Sequence, residues 1–172
     1  MLYCFSMNSL RRSLLRLTVF VFAVLALLPG CAKRSENAAA DAAPAKHEHH
    51  PPHGGTPVVL GDEQFHLELV RDPAAGTLSG YVLDDEMEEF VRIAAPSLVL
   101  DVRAGGKVQR LVLSPVADLA TGETVGNTSL YQGQADWLKT EGNFDATLEP
   151  VSIQGSAFGP TPFNFPSGND RN

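Results

Sequence analysis

The chain has 172 residues, with 13 lysines and arginines against 20 aspartates and glutamates. This length accommodates one domain with a substantial core beside its terminal segments, but not two comfortable domains. The formal net charge is −7, and no basic cluster follows Arg34. This excludes nucleic acid as an expected partner, because binding a polyanion depends on lysine and arginine.

A segment near the amino terminus has the order of a cleavable secretory signal. Arginines at positions 11, 12 and 16 precede an uncharged, largely apolar run from Leu17 to Leu28, and Gly30 precedes Cys31. A transmembrane helix needs about 20 apolar residues, so this run is too short to cross a bilayer. We therefore predict that residues 1–30 are a signal peptide.

The four residues Leu28-Pro29-Gly30-Cys31 resemble the lipobox of bacterial lipoproteins. The resemblance implies that Cys31 is acylated through its thiol, for example with palmitate, and becomes the first residue after cleavage. Ala32 is not the aspartate that retains some lipoproteins in the inner membrane. The resemblance therefore favours a lipid-anchored protein of the bacterial cell envelope that faces the periplasm from the outer membrane.

The part of the chain after the leader is acidic and would contain no thiol. Residues 31–172 carry ten basic and twenty acidic residues, because the leader holds three arginines and no acid. Cys4 lies in the leader and Cys31 would be acylated, which excludes a disulfide, a thiolate metal ligand and a cysteine nucleophile. The negative charge also disfavours adhesion to anionic headgroups, so the lipid is the expected membrane contact.

Residues 31–54 are predicted to form a disordered tether. From Ala32 to Pro52 the chain is rich in alanine, proline and charge, and it has no apolar residue larger than alanine. Such a segment buries too little surface to offset the entropy lost on ordering.

From Thr56 onward, short alternating segments predict strands. Phe65, Leu67 and Leu69 alternate with His66 and Glu68, which predicts a strand with one buried and one wet face. A turn at residues 72–76 returns the chain as a partner strand at 78–83. Residues 98–103 and 108–113 form a second predicted hairpin. A long loop at 115–127, a strand at 128–132, a helical turn at 135–140 and a closing pair at 146–154 and 156–165 complete the pattern.

This order of short strands predicts an all-β fold, an antiparallel immunoglobulin-like β-sandwich of about seven or eight strands. The domain is assigned to residues 55–166, and residues 167–172 are expected to fray. A small closed barrel is the alternative, since the sequence does not determine strand order.

All five histidines lie between positions 47 and 66, which is the one concentration of chemistry in the chain. Neutral imidazoles are good ligands for Cu(II) and Zn(II), so the tether is predicted to capture one of these ions. His66 and Glu68, two residues apart on one predicted strand face, could complete the site. A histidine tract that binds metal loosely and without a role is the alternative. The candidate metal ligands are His47, His49, His50, His53, His66 and Glu68.

The segment that begins Pro52-His53-Gly54-Gly55, followed by the strands at 65–70 and 80–84, resembles a widespread set of uncharacterised bacterial lipoproteins. More loosely, it is similar to the His-Gly-Gly entry near the start of some periplasmic adaptor subunits of heavy-metal efflux pumps. The resemblance implies a small β-domain in metal-rich surroundings. The helical hairpin and lipoyl-like parts of an adaptor have no counterpart in this sequence.

The remaining side chains indicate a protein that is not an enzyme and requires no cofactor. The predicted domain has no cysteine and one histidine, His66, and it lacks a Gly-x-Ser-x-Gly elbow, a phosphate-binding loop and a His-Glu-x-x-His motif. The acidic run at residues 84–89 is expected to be a solvated loop, and Trp137 a core residue. Two functions stay open: metal capture or delivery by the tether, and a structural or interaction domain that docks another envelope protein, with incidental histidines.

Overall fold

A computed structural model describes residues 50–170 of the chain, all of them in one compact unit. The strands are β1 (Thr56–Leu60), β2 (Phe65–Asp72), β3 (Thr77–Leu83), β4 (Leu98–Ala104), β5 (Lys107–Pro115), β6 (Leu130–Gln134), β7 (Phe144–Leu148), β8 (Val151–Ile153), β9 (Ser156–Phe158) and β10 (Thr161–Phe165). One 3₁₀ turn, Asp136–Lys139, lies between β6 and β7. The predicted leader, Cys31, and the predicted histidine ligands His47 and His49 lie outside the described residues.

Eight strands form one antiparallel sheet in the order β1-β2-β3-β6-β5-β4-β7-β10, and β8 and β9 form a separate hairpin. The inward side chains of both halves of the sheet belong to one apolar cluster, so the sheet folds over itself as a sandwich. The predicted all-β, antiparallel β-sandwich is confirmed. Trp137 packs against this core with its ring edge-on to Phe144 at 5.2 Å, as predicted.

The predicted hairpins are present, and the closing pair is interrupted at two prolines. β7 pairs with β10, while β8 and β9 pair beyond them, so the chain leaves the sheet at Pro150 and re-enters it after Pro160. Gly159 is the next register partner of Pro150, and because Pro150 has no N–H to donate, the β7–β10 ladder stops there.

The two edge strands of the sheet are bridged by the carboxyl-terminal segment, and this corrects one prediction. The Val59 N–H donates to Asn169 Oδ1 at 2.7 Å, and Asn169 Nδ2 donates to the Val59 carbonyl at 3.0 Å. The Asn169 amide therefore occupies the position of a strand partner for β1. Gly168 also pairs with Asn164 of β10. The tail expected to fray from Ser167 is thus ordered through Asp170, because it supplies the hydrogen bonds that the β1 edge would lack.

The long loop between β5 and β6 is fixed by a buried carboxylate. Glu123 Oε1 accepts hydrogen bonds from the Ser129 N–H at 2.8 Å and from Ser129 Oγ at 2.7 Å. Thr121 Oγ1 donates to Glu123 Oε2, and the Arg92 guanidinium lies 3.7 Å away. Burial by itself raises the pKa of Glu123, but the hydrogen bonds from Ser129 and Thr121, with the charge of Arg92, bring it below the ordinary value of 4.5.

We expect Glu123→Gln to lower the free energy of unfolding at neutral pH by about 1–3 kcal/mol, since hydrogen bonds to a charged group are lost. A lowered pKa in the folded state gives stability that is complete above the ordinary value of 4.5 and is lost as the pH falls through the folded-state pKa. Urea unfolding across this range should therefore show the difference from wild type shrinking in acid. Glu86→Gln, at an exposed carboxylate, is the control, and a Glu123→Gln deficit that stays constant with pH would contradict the assignment.

Candidate functional site

The candidate site lies where the chain enters the sandwich, on the outer face of β2. His66 and Glu68 share this face, opposite the core residues Leu67 and Leu69. The sequence predicted that this face is wet. That prediction was wrong: both His66 and Glu68 have 0% relative exposure.

Two neighbouring segments cover the outer face of β2. His66 Nδ1 lies 2.9 Å from the carbonyl oxygen of Asp84, in the loop that follows β3. Glu68 is covered by the segment from His53 to Gly55. Alternation along a strand distinguishes its two faces, but it does not show whether a distant segment covers the polar one.

Glu68 holds the entry segment through three hydrogen bonds. Its Oε1 accepts from the backbone N–H groups of His53 and Gly55, each at 2.8 Å. Its Oε2 lies 2.8 Å from His53 Nδ1. Among residues 50–170, His53 supplies the sole ion-pair partner of this buried carboxylate. A buried charge without such donors would be strongly destabilising, so the three contacts act as a unit.

The same contacts orient the His53 ring. An ionised carboxylate only accepts hydrogen bonds, so the Nδ1 atom of His53 carries the hydrogen in its bond to Glu68. In a neutral ring, Nε2 then holds a lone pair. The His53 side chain is 36% exposed, in contrast to Glu68.

Two aromatic side chains surround the His53 ring. Tyr81 stacks on it with ring centroids 3.9 Å apart and an interplanar angle of 18°, and Phe90 lies at 5.7 Å. Burial, followed by the nearby charge of Glu68, raises the pKa of the Tyr81 phenol, which therefore stays uncharged at neutral pH. The ring of His53 is thus fixed by one polar and two aromatic neighbours.

The two glycines after His53 have separate structural roles. Gly54 has a φ of +66°, a conformation that favours glycine. Gly55 passes so close to β2 that a Cβ there would lie 2.6 Å from the Leu69 carbonyl oxygen and 2.8 Å from Glu68 Cγ. In the His-Gly-Gly sequence, the histidine therefore contacts Glu68, the first glycine forms a turn, and the second allows the backbone to pass close to β2.

The structure unites some of the predicted ligands and separates others. His53 and Glu68 are in direct contact, whereas His66 is buried against Asp84 and His50 is exposed. Within residues 50–170, no group of three or more histidine, cysteine, aspartate or glutamate side chains is arranged to hold a metal ion. The described part of the predicted tether, residues 50–54, is tied to the sheet at His53, which differs from the disorder expected there.

Sequence reasoning missed Tyr81, Phe90 and the structural role of Gly55. Tyr81 could have been found, because the register of the β2–β3 hairpin places it opposite Glu68. Phe90 follows the acidic run, whose residues Asp85, Glu86, Glu88 and Glu89 are exposed as expected. Its approach to His53, 37 positions away in the chain, has no local signal.

No protein-family model matches this chain, and neither the curated proteins nor the solved structures gave a match. In the described part of the chain, no helix has the length and apolar character needed to cross a membrane. The resemblance to bacterial lipoproteins, and to the His-Gly-Gly segment of efflux-pump adaptor subunits, stays a prediction from the sequence.

We expect Gly55→Ala to lower the free energy of unfolding by about 1–3 kcal/mol, because the added methyl group meets backbone and side-chain atoms of β2. The same change should release His53 from Tyr81. Urea unfolding measures the first effect, and the ring-current shift of the His53 ring protons in NMR spectra measures the second.

Gly106→Ala is the matched control for this substitution. Gly106 has a φ of +75° and open space around its Cα, so alanine there adds backbone strain without a steric clash. It should leave the His53 ring signals unchanged. If the His53 ring protons of Gly55→Ala keep their wild-type chemical shifts, the role assigned to the close approach of Gly55 to β2 is contradicted.

Proposed function

We propose that this chain is a non-enzymatic, lipid-anchored binding module of the bacterial cell envelope that captures Cu(II) or Zn(II), with His53 as its positioned ligand. The observation that carries the proposal is the 2.8 Å contact between His53 Nδ1 and the buried carboxylate of Glu68. A carboxylate that binds one ring nitrogen of a histidine is the arrangement that orients metal-ligating histidines in proteins.

The environment of His53 suits a metal ligand in three respects. Its Nδ1 atom is occupied by Glu68, so a neutral ring offers Nε2 to an ion. Its stacking on Tyr81 reduces the rotational freedom that binding would otherwise remove. Its partial exposure leaves a route for an ion from solvent. Imidazole nitrogen is a preferred ligand for both Cu(II) and Zn(II).

The proposal assigns different roles to the other predicted ligands. Both oxygens of Glu68 already accept hydrogen bonds, so Glu68 acts as a positioning residue for His53. His66 is fully buried, which leaves it without a route to an incoming ion. The remaining ligands are proposed to be His47, His49 and His50, which precede His53 by three to six positions in the sequence.

The alternative function is an interaction domain that docks another envelope protein. One observation favours it: the loop fixed by Glu123 presents Leu119 and Val125 to solvent, with exposures of 94% and 72%. Exposed apolar side chains on a fixed loop are typical of docking surfaces. Metal titration separates the two functions, because this loop contains no histidine.

The metal proposal is tested by calorimetric titration of the full chain, purified in detergent, with Zn(II) and with Cu(II). We expect Glu68→Gln to weaken binding by about 10- to 100-fold, as for other carboxylates that orient a histidine ligand. Removal of the ligand itself in His53→Ala should weaken it at least as much. Loss of the three upstream histidines by H47A, H49A and H50A together should reduce affinity while His53 stays in place.

Glu123→Gln is the matched control, because it alters a buried carboxylate that has no contact with His53. It should bind metal as wild type does. Circular dichroism establishes that each variant is folded. Equal heats of binding for wild type and His53→Ala would contradict the proposed ligand, and equal heats for Glu68→Gln would contradict its positioning role.

The anchor is tested separately by intact mass of protein isolated from its native envelope. We expect a chain that begins at Cys31 and carries the added mass of its acyl groups. Cys31→Ser should remove that mass and move the protein from the membrane fraction to the soluble fraction. An unmodified Cys31 in wild type would contradict the lipoprotein assignment without affecting the metal proposal.

A further inference from the structure

A cleft in the described part of the chain lies away from the histidine site. It has a volume of about 690 Å³, within the range of ligand-binding clefts. One wall is the segment from Arg92 to Val99, which precedes and begins β4. The other wall is formed by residues 149–152 with Gln154 and Gly155.

The cleft opens because two neighbouring strands separate. β4 and β7 pair up to Leu100 and Leu148, and one further hydrogen bond joins the Glu149 N–H to the Val99 carbonyl at 2.8 Å. Beyond this point the pairing with β4 ends. The chain then forms the β8–β9 hairpin instead of pairing with the residues before β4.

The first wall presents free backbone groups to the cleft. The Ile93 N–H and carbonyl both bond to Thr128, so the backbone groups of Ala94 point to the opposite side. Neither the N–H nor the carbonyl of Ala94 has a hydrogen-bond partner among residues 50–170. Ala94 is exposed, and it lines the cleft.

The second wall presents backbone groups in the same way. β8 and β9 are joined by the two residues Gln154 and Gly155, both with positive φ, as in a two-residue hairpin. In such a hairpin the flanking pair, Ile153 and Ser156, exchanges hydrogen bonds, and the next pair does not. The N–H and carbonyl of Ser152 therefore point away from β9, on the side of the cleft.

We propose that this cleft binds an extended peptide segment of another protein, which adds as a strand between Ala94 and Ser152. Unpaired backbone donors and acceptors on both walls are recognised by an extended peptide backbone, the mode known as β-strand addition. This site is separate from the metal site and does not depend on the proposed metal function.

The charges at the cleft ends define the peptide further. Arg92 lies at the wide end with a side-chain exposure of 39%, and Glu149 lies at the narrow end with 34%. The Arg92 guanidinium donates to the Thr121 carbonyl and is paired with Glu123. Its remaining N–H groups can bind a further carboxylate. The complementary peptide therefore carries an acidic residue at the Arg92 end, whereas the Glu149 carboxylate is already paired with Arg110 Nη2 at 2.6 Å.

The probe is a library of random octapeptides displayed on phage, selected against the full chain in detergent with EDTA present. Selected peptides, once synthesised, should perturb and protect the backbone amides of Ala94 and Ser152 in NMR hydrogen-exchange spectra. Methylation of the peptide nitrogen whose N–H faces Ala94, or of the one whose N–H faces Ser152, should weaken binding about tenfold, and methylation near the peptide ends should have little effect. Selection of no peptide, or tolerance of methylation at every position, would overturn the proposal.

Ser152→Pro removes an N–H that points away from β9 and makes no hydrogen bond to it. This substitution should weaken peptide binding by about tenfold. Ala157→Pro is the matched control, because Ala157 is opposite Ser152 in the hairpin and its N–H points to the other edge. It should leave affinity unchanged, and equal losses in both variants would overturn the proposal. Peptide binding should also survive His53→Ala. Hydrogen-exchange protection of the Ala94 and Ser152 amides should not depend on protein concentration when no peptide is present. If it increases with protein concentration, a second copy of the chain occupies the cleft and the proposal is overturned.

Discussion

The buried carboxylate of Glu68 determines how the chain enters its domain. A carboxylate with no exposure must replace its lost hydration with hydrogen bonds, and no lysine or arginine of the described residues contacts it. The donors come instead from His53 and Gly55, both of which precede β1. This requirement fixes the entry segment on β2 and places the end of the histidine-rich stretch at a defined point of the surface. The polar face of β2 is consequently part of the interior.

The same principle explains how the sheet edges and the long loop are ordered without any disulfide. Unpaired backbone groups at the β1 edge are satisfied by the Asn169 side chain, and those around the β5–β6 loop by Glu123. Each is a polar side chain that replaces a missing backbone partner. A thiol-free domain of this size depends on such contacts in addition to its apolar core, because they fix segments that bury little apolar surface. The cleft beside Pro150 differs, since its backbone groups have no such replacement.

The sequence was informative about the sandwich and much less so about the site. Strand periodicity and turn residues predicted the all-β fold and the main hairpins, because both signals are local. The burial of Glu68 was missed, since its cover comes from His53, fifteen residues earlier, which belonged to a segment with the composition of a disordered tether. The order of the tail was missed for a similar reason, since Asn169 bonds to Val59 across 110 positions. Composition describes average burial and carries no information about one specific contact.

The junction at His53 connects these physical constraints to the proposed function. A histidine in a flexible segment can bind an ion, but its affinity is reduced by the entropy lost on ordering. The contacts of His53 with Glu68 and Tyr81 remove that freedom before any ion arrives, and folding energy compensates for the loss. A tract of several histidines therefore acquires one member whose nitrogen is already oriented. The glycines at 54 and 55 are what allow the backbone to deliver it there, so the His-Gly-Gly sequence is at once a folding signal and the basis of the proposed site.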